Sequence, residues 1–146
     1  MKRLLFFALC FIVAFSAFAQ SADEIDALLA TTAVTYGEAA WLVLRVAETP
    51  GINGSQEAFG HAREQKWLPP GTNPNATVRL DDLSLLVMRS FGFDGGLAYT
   101  LTKNARYAYR ELVHQGIIQG RVDPGMDVSG DLLLYIISRV LSHTGG

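Results

Sequence analysis

Residues 67–91 read WLPPGTNPNATVRLDDLSLLVMRSF, and residues 117–141 read IIQGRVDPGMDVSGDLLLYIISRVL. The two stretches align without a gap when the sequence is shifted by 50 residues. The aligned pairs include Pro74 with Pro124, Val78 with Val128, Asp81 with Asp131, Leu83 with Leu133 and Arg89 with Arg139. Each stretch passes from a turn-rich segment with Pro and Gly into an apolar run, so the sequence predicts a repeated helix-loop-helix unit.

A third, shortened copy of the unit lies nearer the N-terminus. Shifting by 44 residues places Val34, Leu42 and Arg45 on Val78, Leu86 and Arg89. The loop of this copy is almost absent, because the apolar positions before it run nearly straight into Thr35. We therefore predict one domain over residues 20–146, with a truncated repeat at about 22–48 and full repeats at about 54–93 and 102–143.

The apolar spacing predicts six helices and an all-helical fold. Ile25, Leu28 and Leu29 share one helical face, and the Thr35–Glu38 pair matches a capping box that starts the second helix at Thr35. The other helices are expected at about Ser55–Lys66, Asp81–Phe91, Thr102–Gln115 and Gly130–Ser142. We expect a compact pseudo-symmetric bundle in which the second helices of the repeats meet centrally. The run 132–137 is apolar almost all round, which places the last helix in the centre of the core.

The first nineteen residues have the three parts of a cleavable signal peptide. Lys2 and Arg3 precede an apolar run from residue 4 to residue 15, and Ala17-Phe18-Ala19 follows. The run is too short for a transmembrane helix, which needs about 20 apolar residues. A lipoprotein signal anchored through Cys10 is the weaker alternative, because Cys10 lies inside the apolar run. We therefore expect export to the periplasm or the cell surface, with the domain beginning at Gln20.

Removal of the signal peptide leaves 127 of the 146 residues, no cysteine, and a formal net charge of −4 in place of −2. Disulfides and thiolate metal sites are then excluded, so stability has to come from packing. A mildly acidic chain without a basic run also argues against a nucleic-acid partner. No integral membrane span is expected in the remaining chain, because its apolar runs are too short.

The segment AYRELVHQGIIQG at residues 108–120, followed by a Pro- and Gly-bearing loop and a second helix, resembles an S-layer homology repeat. The stretch TYGEAA at residues 35–40 is similar to that family's Thr-Arg-Ala-Glu helix start. The resemblance covers about two and a half units. It implies a compact helical, non-enzymatic module that binds or scaffolds at envelope or wall glycopolymer. The alternative partner is an envelope protein, with the chain acting as a periplasmic adaptor.

The family's ligand-contacting Arg directly follows the motif Thr, and this chain has other residues there. The corresponding positions hold Tyr36, Leu80 and Gly130, whereas Arg79 lies one place early. Arg79 is therefore a candidate substitute for the motif Arg.

Four further residues are candidates for binding a ligand or a partner: Arg45, Trp67, Arg89 and Arg139. The three arginines recur at one position of the three copies, which suggests a shared ring around an anionic ligand. A helix-capping role is about as plausible, because an Arg in the last turn complements the helix dipole and binds terminal carbonyls. Trp67 sits at a loop, where it either forms part of a binding groove or packs beneath the loop.

Other chemistry finds little support in the sequence. A dockerin-type calcium loop ending at Asp82 would have Gly71, Asn73 and Asn75 at its first, third and fifth positions, and the loop ending at Asp131 has no such set of oxygen ligands. These Asp residues are therefore expected to cap helix starts. A hydrolase triad could be imagined from Ser129, Asp131 and either His114 or His143. Ser129 lacks the strand-turn-helix context of a hydrolase nucleophile. No catalytic residue, metal site or cofactor is predicted.

We expect the exported protein to begin at Gln20, because Ala17-Phe18-Ala19 is the cleavage signal. N-terminal sequencing of the protein recovered from outside the cytoplasm measures this directly. Retention of Lys2 in that form would contradict the prediction.

Overall fold

The computed structural model describes residues 22–120 and 122–145, and the predicted signal peptide and Cys10 lie outside these residues. Within them the chain forms seven α-helices and no strand, which confirms the all-helical class. The helices are α1 at residues 22–29, α2 at Tyr36–Val46, α3 at Ser55–Glu64, α4 at Leu80–Ser90, α5 at Leu97–Thr102, α6 at Ala105–His114 and α7 at Gly130–Thr144. The short helix α5 was not predicted from the sequence.

The segments that precede α2, α4 and α7 are joined by a closed ring of three backbone hydrogen bonds. The N–H of Val34 donates to the carbonyl of Val128 at 2.8 Å. The N–H of Val128 donates to the carbonyl of Val78 at 3.1 Å, and the N–H of Val78 donates to the carbonyl of Val34 at 2.8 Å. All three valines are fully buried. The residues that the repeat alignment superposes therefore occupy equivalent places around one pseudo-threefold centre.

The same three segments also hold the first turns of the second helices. The first N–H of each helix donates to the segment that precedes the next one around the ring, instead of remaining an unpaired helix terminus. These bonds join Tyr36 to Ala76 at 2.9 Å, Leu80 to Met126 at 3.0 Å and Gly130 to Thr31 at 2.9 Å. As a result, the start of each second helix is fixed relative to the other two.

The predicted capping box at the start of α2 is confirmed. The Thr35 hydroxyl accepts from the N–H of Glu38, and the Glu38 carboxylate accepts from the N–H of Thr35 at 2.8 Å. The N-cap residues of α4 and α7 make no side-chain capping bond. The expectation that Asp82 and Asp131 cap these helices is wrong, because both lie inside the first turn of helices that begin at Leu80 and Gly130.

The most buried helix is α4, and the expectation that the last helix is central is wrong. Eight of the eleven residues of α4 are buried, and the helix packs against both α2 and α6. In contrast, α7 buries Leu133, Ile136 and Ile137, while Tyr135 is 42% exposed. An apolar run is buried all round only where neighbours cover every side, and the side of α7 that carries Tyr135 is left exposed. The second helices do meet in part, since α2 contacts both α4 and α7.

Among the described residues, no helix combines the length and the apolar character that crossing a membrane requires.

We expect Gly130→Ala to destabilise the fold. A Cβ at this position would lie far inside van der Waals contact with the carbonyl oxygen of Leu28, because the end of α1 packs directly on the start of α7. Overpacking of this kind lowers the free energy of unfolding by about 1–3 kcal/mol. Chemical denaturation of the purified variant measures the loss.

The matched control is Gly60→Ala on α3, where a Cβ would meet nothing within 4 Å. We expect that change to raise stability by about 0.5–1 kcal/mol, because Ala is the better helix former. Equal stability changes for the two variants would show that the close approach at Gly130 is absent.

Candidate functional site

Arg45 lies in a groove between α1 and α2. Its guanidinium forms an ion pair with Glu24 at 3.0 Å and lies 5.5 Å from the centre of the Trp41 ring. The groove has a volume of about 580 Å³, and apolar residues form most of its wall. Its lining residues include Ile25, Leu28, Trp41, Leu42 and Val46, with Glu24, Glu38 and Arg45 as the charged members. We call this the α1–α2 groove.

The other two recurrent arginines have different surroundings. Arg139 donates to the carbonyl of Gly116 at 2.8 Å, just beyond the end of α6. It therefore binds the turn that follows α6, and it does not lie in the last turn of its own helix, since α7 continues to Thr144. Arg89 is half-buried in the last turn of α4. Burial raises the pKa of Tyr99, and the positive charge of Arg89 opposes that shift.

Trp67 is half-buried and packs against the core. Its ring meets the ring of His61 edge-to-face, with the ring centres 5.5 Å apart. The backbone N–H of Trp67 closes the end of α3 by donating to the carbonyl of Ala62 at 2.8 Å. The structure thus places Trp67 against the end of α3.

Arg79 and Tyr36 belong to one polar cluster between α2 and α4. Arg79 binds the carboxylate of Asp81 through two nitrogens, at 3.0 and 3.2 Å. The Tyr36 hydroxyl donates to Asp82 at 2.5 Å, and Asp82 is only 7% exposed. Burial raises the pKa of Asp82, although the hydrogen bond from Tyr36 works in the opposite direction. The charge of Arg79 is therefore largely compensated by Asp81, and Asp82 serves the contact between two repeats.

Three basic side chains from different parts of the chain line a second groove. Arg63 and Lys66 come from the end of α3 and the residues after it, and Lys103 follows α5. The groove has a volume of about 690 Å³ and also contacts Leu68, Pro69, Pro70, Gly71, Leu85, Thr102, Asn104 and Ala105. No carboxylate is among these lining residues. We call this the basic groove.

The cations of the basic groove have no ionic partner among the described residues, where the ion pairs are Arg45 with Glu24 and Arg79 with Asp81. Lys103 lies 4.8 Å from the centre of the Tyr99 ring, and Arg63 lies 5.8 Å from that of Phe59. The N-terminus of α6 adds a partial positive charge at the same place, and its first turn has no acidic residue. The arrangement suits a ligand with carboxylate or phosphate groups.

Of the residues considered for hydrolysis, Ser129, Asp131 and His143 lie along α7, whereas His114 is the last residue of α6. The Ser129 hydroxyl donates to Asp131, and this hydrogen bond lowers the pKa of Asp131. His143 packs against the ring of Phe93 near the other end of the helix, about 20 Å away by the helical rise. Ser129 and His143 therefore do not form a catalytic pair. Within residues 22–120 and 122–145, no three His, Asp or Glu side chains converge where a metal ion would bind.

No protein-family model, no curated protein and no solved structure matches this chain.

The basic groove was missed in the sequence because its cations belong to two repeats and form no short motif. One local signal was present. Lys66 occupies the left-handed position after α3, with φ of 58°, where the aligned residue of the next repeat is Gly116. A non-glycine residue in this conformation is uncommon. The change from Gly in one repeat to Lys in the other therefore points to the segment after α3, where the basic groove lies.

We expect Asp82→Asn to alter how stability depends on pH. A carboxyl whose pKa is raised in the folded state binds its proton more tightly there than in the unfolded chain. Stability therefore falls as the pH rises from 3.8, the ordinary value, through the raised folded pKa. Asn keeps an oxygen that accepts the hydrogen bond from Tyr36, and it never ionises. The stability of the variant relative to the parent should therefore increase as the pH rises across this window.

Urea denaturation at several pH values measures the effect. The prediction would be contradicted if the difference in the free energy of unfolding between parent and variant stayed the same from pH 4 to pH 7.

Proposed function

We propose that this chain is an exported, non-enzymatic binding module of the cell envelope that holds an anionic envelope polymer in the basic groove. The observation that carries the proposal is the convergence of Arg63, Lys66 and Lys103 on one groove whose lining residues include no carboxylate. The ligand class is a polymer with carboxylate or phosphate groups along its length.

The chemistry of the groove supports an extended anionic ligand. Hydrogen bonds between Arg or Lys and an anionic oxygen contribute about 1.5–3 kcal/mol each, more than neutral ones. Leu68, Pro69 and Pro70 provide an apolar wall beside the cations. A chain of sugar rings fits such a surface, since its rings have apolar faces and its acidic substituents reach the cations.

Two sequence patterns support a location at the envelope. Residues 1–19 have the parts of a signal peptide, and the repeats resemble S-layer homology units. Tyr36, Leu80 and Gly130 occupy the positions of that family's motif Arg. The polymer contacts are therefore proposed in the basic groove and not at the starts of the second helices.

A protein adaptor is the second candidate function, and the α1–α2 groove favours it. Ile25 and Leu29 on α1 are 45% and 51% exposed, although the sequence places them on the apolar face of the helix. An exposed apolar surface beside a groove is typical of protein-binding sites. Under this reading, Leu29→Ser should reduce capture of an envelope protein without changing binding to purified polymer.

We expect the double variant Arg63→Gln and Lys66→Gln to bind anionic wall or envelope polymer at least about tenfold more weakly, because two charge-assisted contacts are lost. Co-sedimentation with the purified polymer at low and high salt measures this, since screening weakens the remaining attraction. Both side chains are exposed, so the melting temperature should change little.

The matched control is Arg106→Gln with Arg110→Gln, which removes the same charge from the outer face of α6. This control should retain polymer binding. Equal binding by the Arg63 and Lys66 variant and by the parent would refute the proposed polymer site.

A further inference from the structure

Helix α5 is an insertion into the repeat. The N-cap residues Thr35 and Arg79 are separated by 44 positions, and Arg79 and Ser129 by 50. The difference equals the six residues of α5, which lies in the connection between α4 and α6. The equivalent connection between α2 and α3 contains no helix. Insertions into repeats often map to the binding face of a repeat protein.

The structure holds α5 in a defined position. Tyr99 anchors the helix, since its side chain is only 1% exposed. Gly96 allows close contact with α6, because a Cβ there would lie 2.9 Å from a carboxylate oxygen of Glu111. Gln115 also donates to the carbonyl of Asp94 at 3.0 Å. These contacts hold α5 in place against α6, so the orientation of its outer side is fixed.

That outer side is apolar and largely exposed to solvent. Leu97 and Leu101 lie four residues apart, hence on the same side of the helix. They are 75% and 74% exposed, the highest values for large apolar side chains in the described part of the chain. The next leucine in this order, Leu29, is 51% exposed. The packing of the repeats does not account for two leucines in this setting.

Cations lie on the parts of the chain next to α5. Arg106 and Arg110 are exposed on α6, the helix against which α5 packs, and Lys103, which also lines the basic groove, directly follows α5. The nearby acids are Asp94, which is exposed, and Glu111, which is half-buried against Gly96. The surface around α5 therefore has an excess of positive charge, which is complementary to anionic lipid headgroups.

We propose that α5 docks this protein on an anionic lipid bilayer, with Leu97 and Leu101 in the interfacial region and the nearby cations against the headgroups. This goes beyond the proposed polymer binding, which uses the basic groove. A membrane fits better than a protein, because a stable protein interface needs about 800 Å² per partner with matching pockets. A bilayer needs no such pocket, and apolar and electrostatic contributions add to hold a peripheral protein there.

Co-sedimentation of the exported form with vesicles tests the proposal. The parent should bind vesicles that contain phosphatidylglycerol and bind pure phosphatidylcholine vesicles at least tenfold more weakly. The double variant Leu97→Gln and Leu101→Gln should lose at least tenfold in binding to the phosphatidylglycerol vesicles. The matched control is Met126→Gln with Leu141→Gln, which changes two apolar side chains that are 37% and 48% exposed outside α5. This control should bind as the parent does.

The charge variants separate this proposal from the polymer site. Arg106→Gln with Arg110→Gln should weaken binding to phosphatidylglycerol vesicles, whereas Arg63→Gln with Lys66→Gln should act mainly on polymer binding. The leucine variant should retain polymer binding. The two experiments can therefore contradict either proposal independently of the other.

Three results would overturn membrane docking. The first is full vesicle binding by the leucine variant, and the second is no vesicle binding by the parent. The third is a change of oligomeric state in the leucine variant alone, which would assign the leucines to a protein contact.

Discussion

Three backbone hydrogen bonds, between Val34, Val78 and Val128, form the closed ring on which the rest of this structure depends. Buried backbone groups have to be paired, and each member of the ring pairs one donor and one acceptor with two different repeats. No single repeat can satisfy its own groups in this arrangement. The shortened first repeat is therefore essential, since it supplies one third of the ring.

The ring explains why the repeats tolerate large differences elsewhere. The ring consists of main-chain atoms and fully buried valines. Side chains farther from the ring can therefore differ between repeats without disturbing it. Among the three second helices, only α2 begins with a capping box, and in the described part of the chain the connection before α6 contains a helix that the connection before α3 lacks. The two grooves and α5 lie on such variable parts, as binding surfaces often do when a rigid scaffold positions them.

Charge is distributed unevenly over these surfaces. α1 and the start of α2 contain the acids Asp23, Glu24, Asp26 and Glu38. Among the residues that the structure describes, the basic groove and the surface around α5 contain most of the cations without an ion-pair partner. Under the two proposals the basic side faces the polymer and the bilayer, and the α1–α2 groove remains accessible to a protein.

The sequence by itself determined the helical class, the repeat and the capping box at Thr35, because these follow from local periodicity and from spacing along the chain. Only the tertiary structure decided which helix is buried, as the solvent-facing Tyr135 of α7 illustrates. The pairing of Tyr36 with Asp82 across 46 positions, and the grouping of Lys103 with Lys66, were likewise decided there. Such contacts depend on how the repeats close around the ring, and a local pattern does not contain that information.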